Sequence, residues 1–363
     1  MALINRLGVA LRDMAESLGV DGTVATIRKM ISKGDITPND FSLREIWDAF
    51  ERDAQGFVKP VSEAVSSDLF PKITGELINS TLIKAYDAVP TIGQNLVTVS
   101  PSKMEVETYA GFDASESPDE VVQGQAYNRA TMAEKYVTVP HTKWGRIIDV
   151  TEEMIYFDKT GQVITRAKGI GKKAAQKKER LIVEGVQDIN SNVFRPEGVA
   201  TAFYRVAATG DRKINSRVST PFGEEGLLEA NKLFHNMTDE EDDYILVDPA
   251  NVYALFPFDL WVQAVQMQKS TLVPEGTENA VNIWKGAFTP LTSPYITNQS
   301  TSTWYLGDFM EDYVWSQVWD LQTFTAKAGH EDEFHRDIKF KYKVRFYGQI
   351  GATDDKHCLK LTA

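Results

Sequence analysis

The chain has 363 residues, with 39 Lys and Arg against 51 Asp and Glu for a net charge of −12. That length suffices for one large domain or two to three small ones, and an ordinary hydrophobic share with 10% aromatics excludes a disordered chain. The acidic balance argues against tight, broad phosphate binding, and no run of about 18 apolar residues exists to make a membrane a partner. The single cysteine, Cys358, permits no internal disulfide and fits a reducing compartment.

Residues 1–55 read as short helices. Ile4, Leu7, Leu11, Met14 and Leu18 share one face. Arg6, Arg12 and Asp13 break the apolar residues there and argue against a secretory leader. Gly19 and Gly22 interrupt; Val24, Ile27, Met30 and Ile31 resume the pattern, and Ser42-Leu43-Arg44-Glu45 is a capping box for a third helix. This lead is either a small helical subdomain or an arm that packs on neighbouring subunits. Residues Ile73 to Ala88 form another helix, ending before Pro90.

From Lys103 to Val150 the pattern changes to strands. Met104, Val106 and Thr108 alternate with Glu105, Glu107 and Tyr109, and a second alternating run covers Thr131 to Val139. The polar connection between them, Phe112 to Arg129, is long for a compact domain and reads as an ordinary surface hairpin or a functional arm. A two-stranded ribbon is marginal alone in water, so we expect it to lie against another copy of the chain.

Thr160 to Asp188 is the longest helix, with Val163, Ile164, Ala167, Ile170, Ala174, Leu181 and Ile182 as its buried stripe. Lys and Arg crowd the remainder, a face that is either solvated or turned towards nucleic acid. Gly169, Gly171 and Gly185 each cost about 1 kcal/mol inside a helix, which points to bending or close approach of another element. Residues 221–290 resemble a small α/β unit: a helix through Leu227, Ala230 and Phe234, a buried strand Tyr244-Ile245-Leu246-Val247, and a next helix capped by Asp248 with Pro249 at its first position. Thr303 to Phe309 and Tyr313 to Phe324 are strands whose Trp304, Trp315 and Trp319 are sheet core.

The cleanest period-two run is Asp337 to Ile350. Ile338, Phe340, Tyr342, Val344 and Phe346 fall on one face, and Lys339, Lys341, Lys343 and Arg345 on the other. Four stacked cations repel unless water, acids or phosphate offset them. The strand therefore shows its charge to something. A last short strand follows Asp354-Asp355.

Catalytic and metal chemistry is not announced, and we predict a structural protein with no cofactor. His330 and His335 are five apart, about 140° around a helix rather than on one face, and we place them in a charged loop. Gly169-Ile170-Gly171-Lys172-Lys173 lacks the closing Ser or Thr of a phosphate loop. His357-Cys358 reads as a strand end rather than a reactive pair.

Taken in order, several segments resemble the major capsid proteins of tailed bacteriophages, of HK97-like fold. They are Leu82-Ile83-Lys84-Ala85-Tyr86-Asp87-Ala88-Val89-Pro90, Val122-Gln123-Gly124-Gln125-Ala126-Tyr127, Lys143 to Met154, Phe157 to Gln162 and Tyr305-Leu306-Gly307-Asp308-Phe309, together with the cationic strand. The resemblance implies an α+β fold in four parts: an N-terminal helical region and arm (1–100), an extended hairpin or E-loop (101–150), a peripheral domain with a spine helix (151–190 and 301–363) and an α/β axial domain (191–300). It implies self-assembly into hexamers and pentamers that close an icosahedral shell around double-stranded DNA, held non-specifically. Location in the virion after assembly in the host cytoplasm is implied too, as are a portal and scaffold, decoration or cement proteins as partners. Asp113, Glu116, Asp119, Glu120 and Arg129 become intersubunit E-loop residues, and Lys172, Lys173, Lys177 and Lys178 a genome-facing set on the spine helix. Phe112 to Thr131 contains no lysine, so we expect a shell without covalent cross-links. The helical lead is shorter than the scaffolding segment cleaved from some relatives, so we expect an uncleaved chain. An encapsulin-type cellular cage is the alternative.

Overall fold

The computed structural model describes residues 4–33, 35, 44, 69–112, 134–157, 159–208, 212–238, 243–245, 251–274, 280–327 and 330–363. The fold is α+β and divides into two compact units, 1–90 with 143–177 and 319–346, and 91–142 with 178–318 and 347–363.

In the first unit, helix α1 (Ile4–Lys33) breaks at Gly19, where φ is 70°, the left-handed region that glycine enters without steric cost. Beyond the break, Ile27 and Ile31 pack with Ile73, Leu77 and Ile78 of α2 (Leu69–Asp87). Arg28 donates to both oxygens of Glu76 at 2.8 and 2.9 Å, and Lys72 pairs with Asp21 at 2.8 Å. The third helix expected after Ser42 lies outside the described residues, Arg44 excepted.

The same core takes Ile148 and Val150 from β4 (Thr142–Thr151), Ile155 from α3 (Glu152–Tyr156), and Val163 and Ala167 from α4 (Thr160–Val186). It is completed by Phe340 and Tyr342 of β10 (Ile338–Ala352). The apolar face read from the sequence of this strand is all buried, from Ile338 to Phe346. At 27 residues, α4 is about 40 Å long. Gly171 explains itself: a Cβ there would stand 2.4 Å from the Leu82 carbonyl, so α2 crosses α4 on bare backbone.

In the second unit, a five-stranded sheet runs β5 (Ser216–Arg217), β11 (Cys358–Thr362), β8 (Thr303–Gly307), β6 (Tyr253–Phe256) and β7 (Thr289–Thr292). Strands β6 and β7 are parallel, joined through helix α6 (Phe258–Lys269), while β8 is antiparallel to both β6 and β11. Helix α5 (Glu224–His235) contributes Leu227 and Ala230 to the core around Trp304, Phe222 and Phe256. The α/β unit is therefore present with its strand displaced. Tyr244 is 71% exposed and makes only an isolated bridge to Thr238, whereas the buried strand is β6. The next helix follows Pro257, and Leu246 to Pro249 lie outside the described residues.

A second sheet has the order β1 (Thr98–Pro101), β9 (Tyr313–Lys327), β10, β4. Trp304 and Trp315 are core, as expected. Trp319 is only half-buried and is covered by cations.

Candidate functional site

The question posed by the cationic face of β10 has an answer inside the chain. Lys339 is 5% exposed; its Nζ lies 2.6 Å from Glu333 Oε1 and 3.1 Å from Glu152 Oε2. Burial opposes the charge, but the two carboxylates outweigh it and raise the ammonium above its ordinary value. Lys341 pairs with Asp332. Glu333 and Asp332 come from a short helix, His330–Arg336, where the sequence had suggested a loop. Its acids fill the first turn, favoured by the helix dipole. The second half of the row meets rings instead. Lys343 Nζ stands 5.0 Å from the Phe324 centroid, and the Arg345 guanidinium 4.1 Å from Trp319 and 4.5 Å from Phe324.

Beyond Lys343 the row leads to a cleft of about 820 Å³ walled by β4, α4 and β10. Arg146, Arg166, Lys173, Lys177 and Arg345 line it, with Asp149 the one acid among the lining residues. Its floor is apolar, from Ile147, Ile170, Val344 and Phe346. Gly145 lets β4 approach β10, since a Cβ there would sit 2.9 Å from the Val344 carbonyl.

The four spine-helix lysines divide into two pairs. Lys172 and Lys173 are exposed, as a solvated or anion-facing pair must be. Lys177 and Lys178 are half-buried: Lys177 Nζ lies 4.1 Å from the Trp144 ring, and Lys178 Nζ lies 5.2 Å from the Trp315 ring and donates to Gln317 Oε1 at 3.4 Å. They brace the sheet as much as they offer charge.

The ribbon forms as expected. Strands β2 (Val106–Phe112) and β3 (Glu134–Pro140) pair antiparallel from Val106 opposite Pro140 to Phe112 opposite Glu134. Its base is held by its own unit. Tyr109 Oη donates to Ser316 Oγ at 2.9 Å, His141 Nε2 lies 2.7 Å from the same oxygen, and Val137 and Val139 are buried. Val106 and Tyr136 stay 45% and 41% exposed, so the base leaves an apolar edge uncovered. Asp113, Glu116, Asp119, Glu120 and Arg129 lie outside the described residues.

One buried cluster was not signalled by the sequence. Asp312, fully buried, accepts from His357 N at 3.0 Å and lies 2.8 Å from His357 Nδ1, with Asp354 Oδ2 3.9 Å from the same nitrogen. Burial opposes a charge on His357, but Asp312 and Asp354 prevail and push its pKa up to about 9. The three side chains bring ligand atoms within 4.8 Å of one another, yet the imidazole holds its proton against Asp312. The chemistry is that of an ion pair tying the residue before β11 to the short helix Phe309–Asp312 before β9. Cys358 is buried in β11, where burial pushes its thiol well up, in keeping with an inert strand-end cysteine.

Comparison with known proteins gives one decisive match. A family model described as phage capsid protein matches residues 135–361. No curated protein matches the chain. Among solved structures, the capsid of cyanophage P-SCSP1u is 10% identical, covering 76% of this chain and 88% of that one at a TM-score of 0.49. The capsid of a native GTA particle is 11% identical, covering 76% and 91% at 0.48. A virus-like particle from Pyrococcus furiosus is 8% identical, covering 78% and 97% at 0.43.

Proposed function

The chain belongs to the phage capsid protein family, and from that premise we propose that its copies tile as hexamers and pentamers into an icosahedral, HK97-like shell around double-stranded DNA. The capsid role itself follows from the family: this is a structural protein of the virion that associates with copies of itself. The match over residues 135–361, most of the described sheet and helix framework, carries this reading.

Within it, residues 1–100 serve as helical lead and arm, 101–150 as E-loop, 151–190 with 301–363 as peripheral domain, and 191–300 as axial domain. The apolar edge left open at Val106 and Tyr136 supports a ribbon completed by a neighbour. Asp113, Glu116, Asp119, Glu120 and Arg129 are its intersubunit charges. Exposed Lys172 and Lys173 support a weak, non-specific face for packaged DNA, with Lys177 and Lys178 contributing from behind. Assembly takes place in the host cytoplasm with a portal, and with scaffold, decoration or cement proteins as further partners. Repeated contacts supply stability by mass action, so an isolated subunit need not be very stable.

Size-exclusion chromatography of the purified chain, followed by analysis of particle contents, tests the proposal. Capsomers or closed shells are the expected species, without covalent ladders on a denaturing gel. DNA inside particles from infected cells supports the virus reading. A packaged enzyme would instead indicate an encapsulin-type cage, and a monodisperse monomer at all concentrations would overturn both.

A further inference from the structure

The ribbon of β2 and β3 is tied to its unit by a chain of side-chain hydrogen bonds whose direction is fixed. His141, just past β3, places Nδ1 2.9 Å from the Met104 carbonyl oxygen and 3.1 Å from that of Glu105, just before β2. Both carbonyls can only accept, so the hydrogen of a neutral imidazole belongs on Nδ1. That leaves Nε2 with a lone pair, 2.7 Å from Ser316 Oγ. The Ser316 hydroxyl therefore donates to His141, while its oxygen accepts from Tyr109 Oη at 2.9 Å. The bonds run one way, from Tyr109 through Ser316 to His141 and back to the root of the first strand.

Ser316 is a fixed post. It is fully buried in β9, it pairs with Ser100 of β1, and its carbonyl lies 2.7 Å from where a Cβ on Gly348 of β10 would stand. Backbone bonds moor the same root: Ser102 N donates to Gln317 O at 2.9 Å, Thr138 N to Arg195 O at 3.2 Å and Glu197 N to Tyr136 O at 2.9 Å. A two-stranded ribbon is marginal alone in water, so its direction is set by what holds its root. Ser316 holds both legs through one oxygen, and a buried hydroxyl that loses a partner has no water to replace it. Tyr109 is half-buried at the outer end of the chain of bonds, where water competes first.

We propose that Tyr109, Ser316 and His141 form a latch that fixes the direction in which the ribbon leaves its unit, and that opening it at Ser316 lets the paired strands swing from their root without coming apart. The latch belongs to a single chain; it rests on the reading of residues 101–150 as an extended hairpin, not on the association of copies.

Hydrogen exchange resolved to single amides, measured on unassembled subunits, tests it. In Ser316→Ala the mooring amides of Ser102, Thr138 and Glu197 should exchange about tenfold faster or more. Amides paired between β2 and β3, and those of β8 and β11, should stay within about twofold of the unmodified chain. Tyr109→Phe, which loses only the outer bond, should speed the mooring amides about threefold. Added to Ser316→Ala it should change nothing further, because both bonds pass through one oxygen. Should Ser316→Ala not fold, Tyr109→Phe alone carries the test, since its site is half-buried and the ring is kept. Unchanged mooring amides in Tyr109→Phe overturn the inference. So does an equal rise in the β2–β3 ladder, which would mean that the strands fray rather than swing, or in β8 and β11, which would mean general loosening. A full additive effect in the double variant overturns the shared post. Made on subunits, the measurement is separate from particle formation, so either reading can fail without the other.

Discussion

Strand β10 and helix α4 each carry a row of cations, and the two rows meet different ends. On β10, Lys339 is buried and clasped by two glutamates, Lys341 by an aspartate, and Arg345 lies on Trp319. On α4, Lys172 and Lys173 are exposed, while Lys177 and Lys178 rest on tryptophan rings. The sequence shows both rows as stripes of positive charge. Their physical meaning differs because the start of the β10 row is met by acids of the helix His330–Arg336, whereas a helix packed by one stripe leaves the other in water. A cation row on a buried strand must be satisfied from within, and one on a helix face can remain available.

The largest expected effect comes from breaking the first row. Replacing Lys339 with Ala leaves Glu333 and Glu152 facing each other over a vacated site. Because both carboxylates are partly exposed, at 44% and 37%, water relieves some of the loss. We expect about 2 kcal/mol of destabilisation in denaturant titration. Lys339→Met, which keeps the stem, should recover part of it. Lys339→Ala within a few tenths of a kcal/mol of the unmodified chain would mean that the clasp contributes nothing.

A middle effect is expected from pH. The His357 imidazole, at about 9 against 6.5 for the free group, binds its proton more tightly folded than unfolded. Its contribution is fully present below about 6.5 and lost as pH rises through about 9. Burial also raises Asp312, to about 6 from 3.8, which gives a slope of the same sign in a lower window, between about pH 4 and 6. Melting temperature should therefore fall between about pH 7 and pH 9.5, and His357→Gln should flatten the fall. A rise over that range would contradict the pairing.

These cases mark what the sequence could tell. The period-two run gave the apolar face of β10 residue by residue, because alternation has one structural meaning when it is this long. It did not reveal who answers the cations, because His330–Arg336 is a seven-residue helix of mostly charged groups, too short for any periodicity to announce. The α/β unit was legible, but the paired strand in it is Tyr253–Phe256, and of the run expected at Tyr244–Val247 only Tyr244, exposed, and Ile245 lie among the described residues. Both are short apolar runs after polar residues, and only the register with β7 and β8 separates them. The pairing of Asp312 with His357 spans 45 residues, beyond the reach of any local pattern. The cleft was invisible for the same reason, since its cations come from three separate elements.

The smallest effect on stability should come from the helix row, and there the comparison is sharpest. Lys172 and Lys173 are exposed, so replacing both with Ala, a better helix former, should change unfolding free energy by no more than about 0.5 kcal/mol. If these lysines face packaged DNA, the change appears elsewhere. Shells should form at normal yield but hold less DNA, and DNA release should become less sensitive to salt, because two fewer phosphate contacts release fewer counterions. Lys177→Ala should behave in the opposite way, costing about 1 kcal/mol through the lost contact with Trp144 while leaving DNA content closer to normal. If Lys172 and Lys173 instead prove to matter for stability and Lys177 does not, the division of the helix lysines by burial is wrong. A charge that stacks on a ring is then no more structural than one in open water.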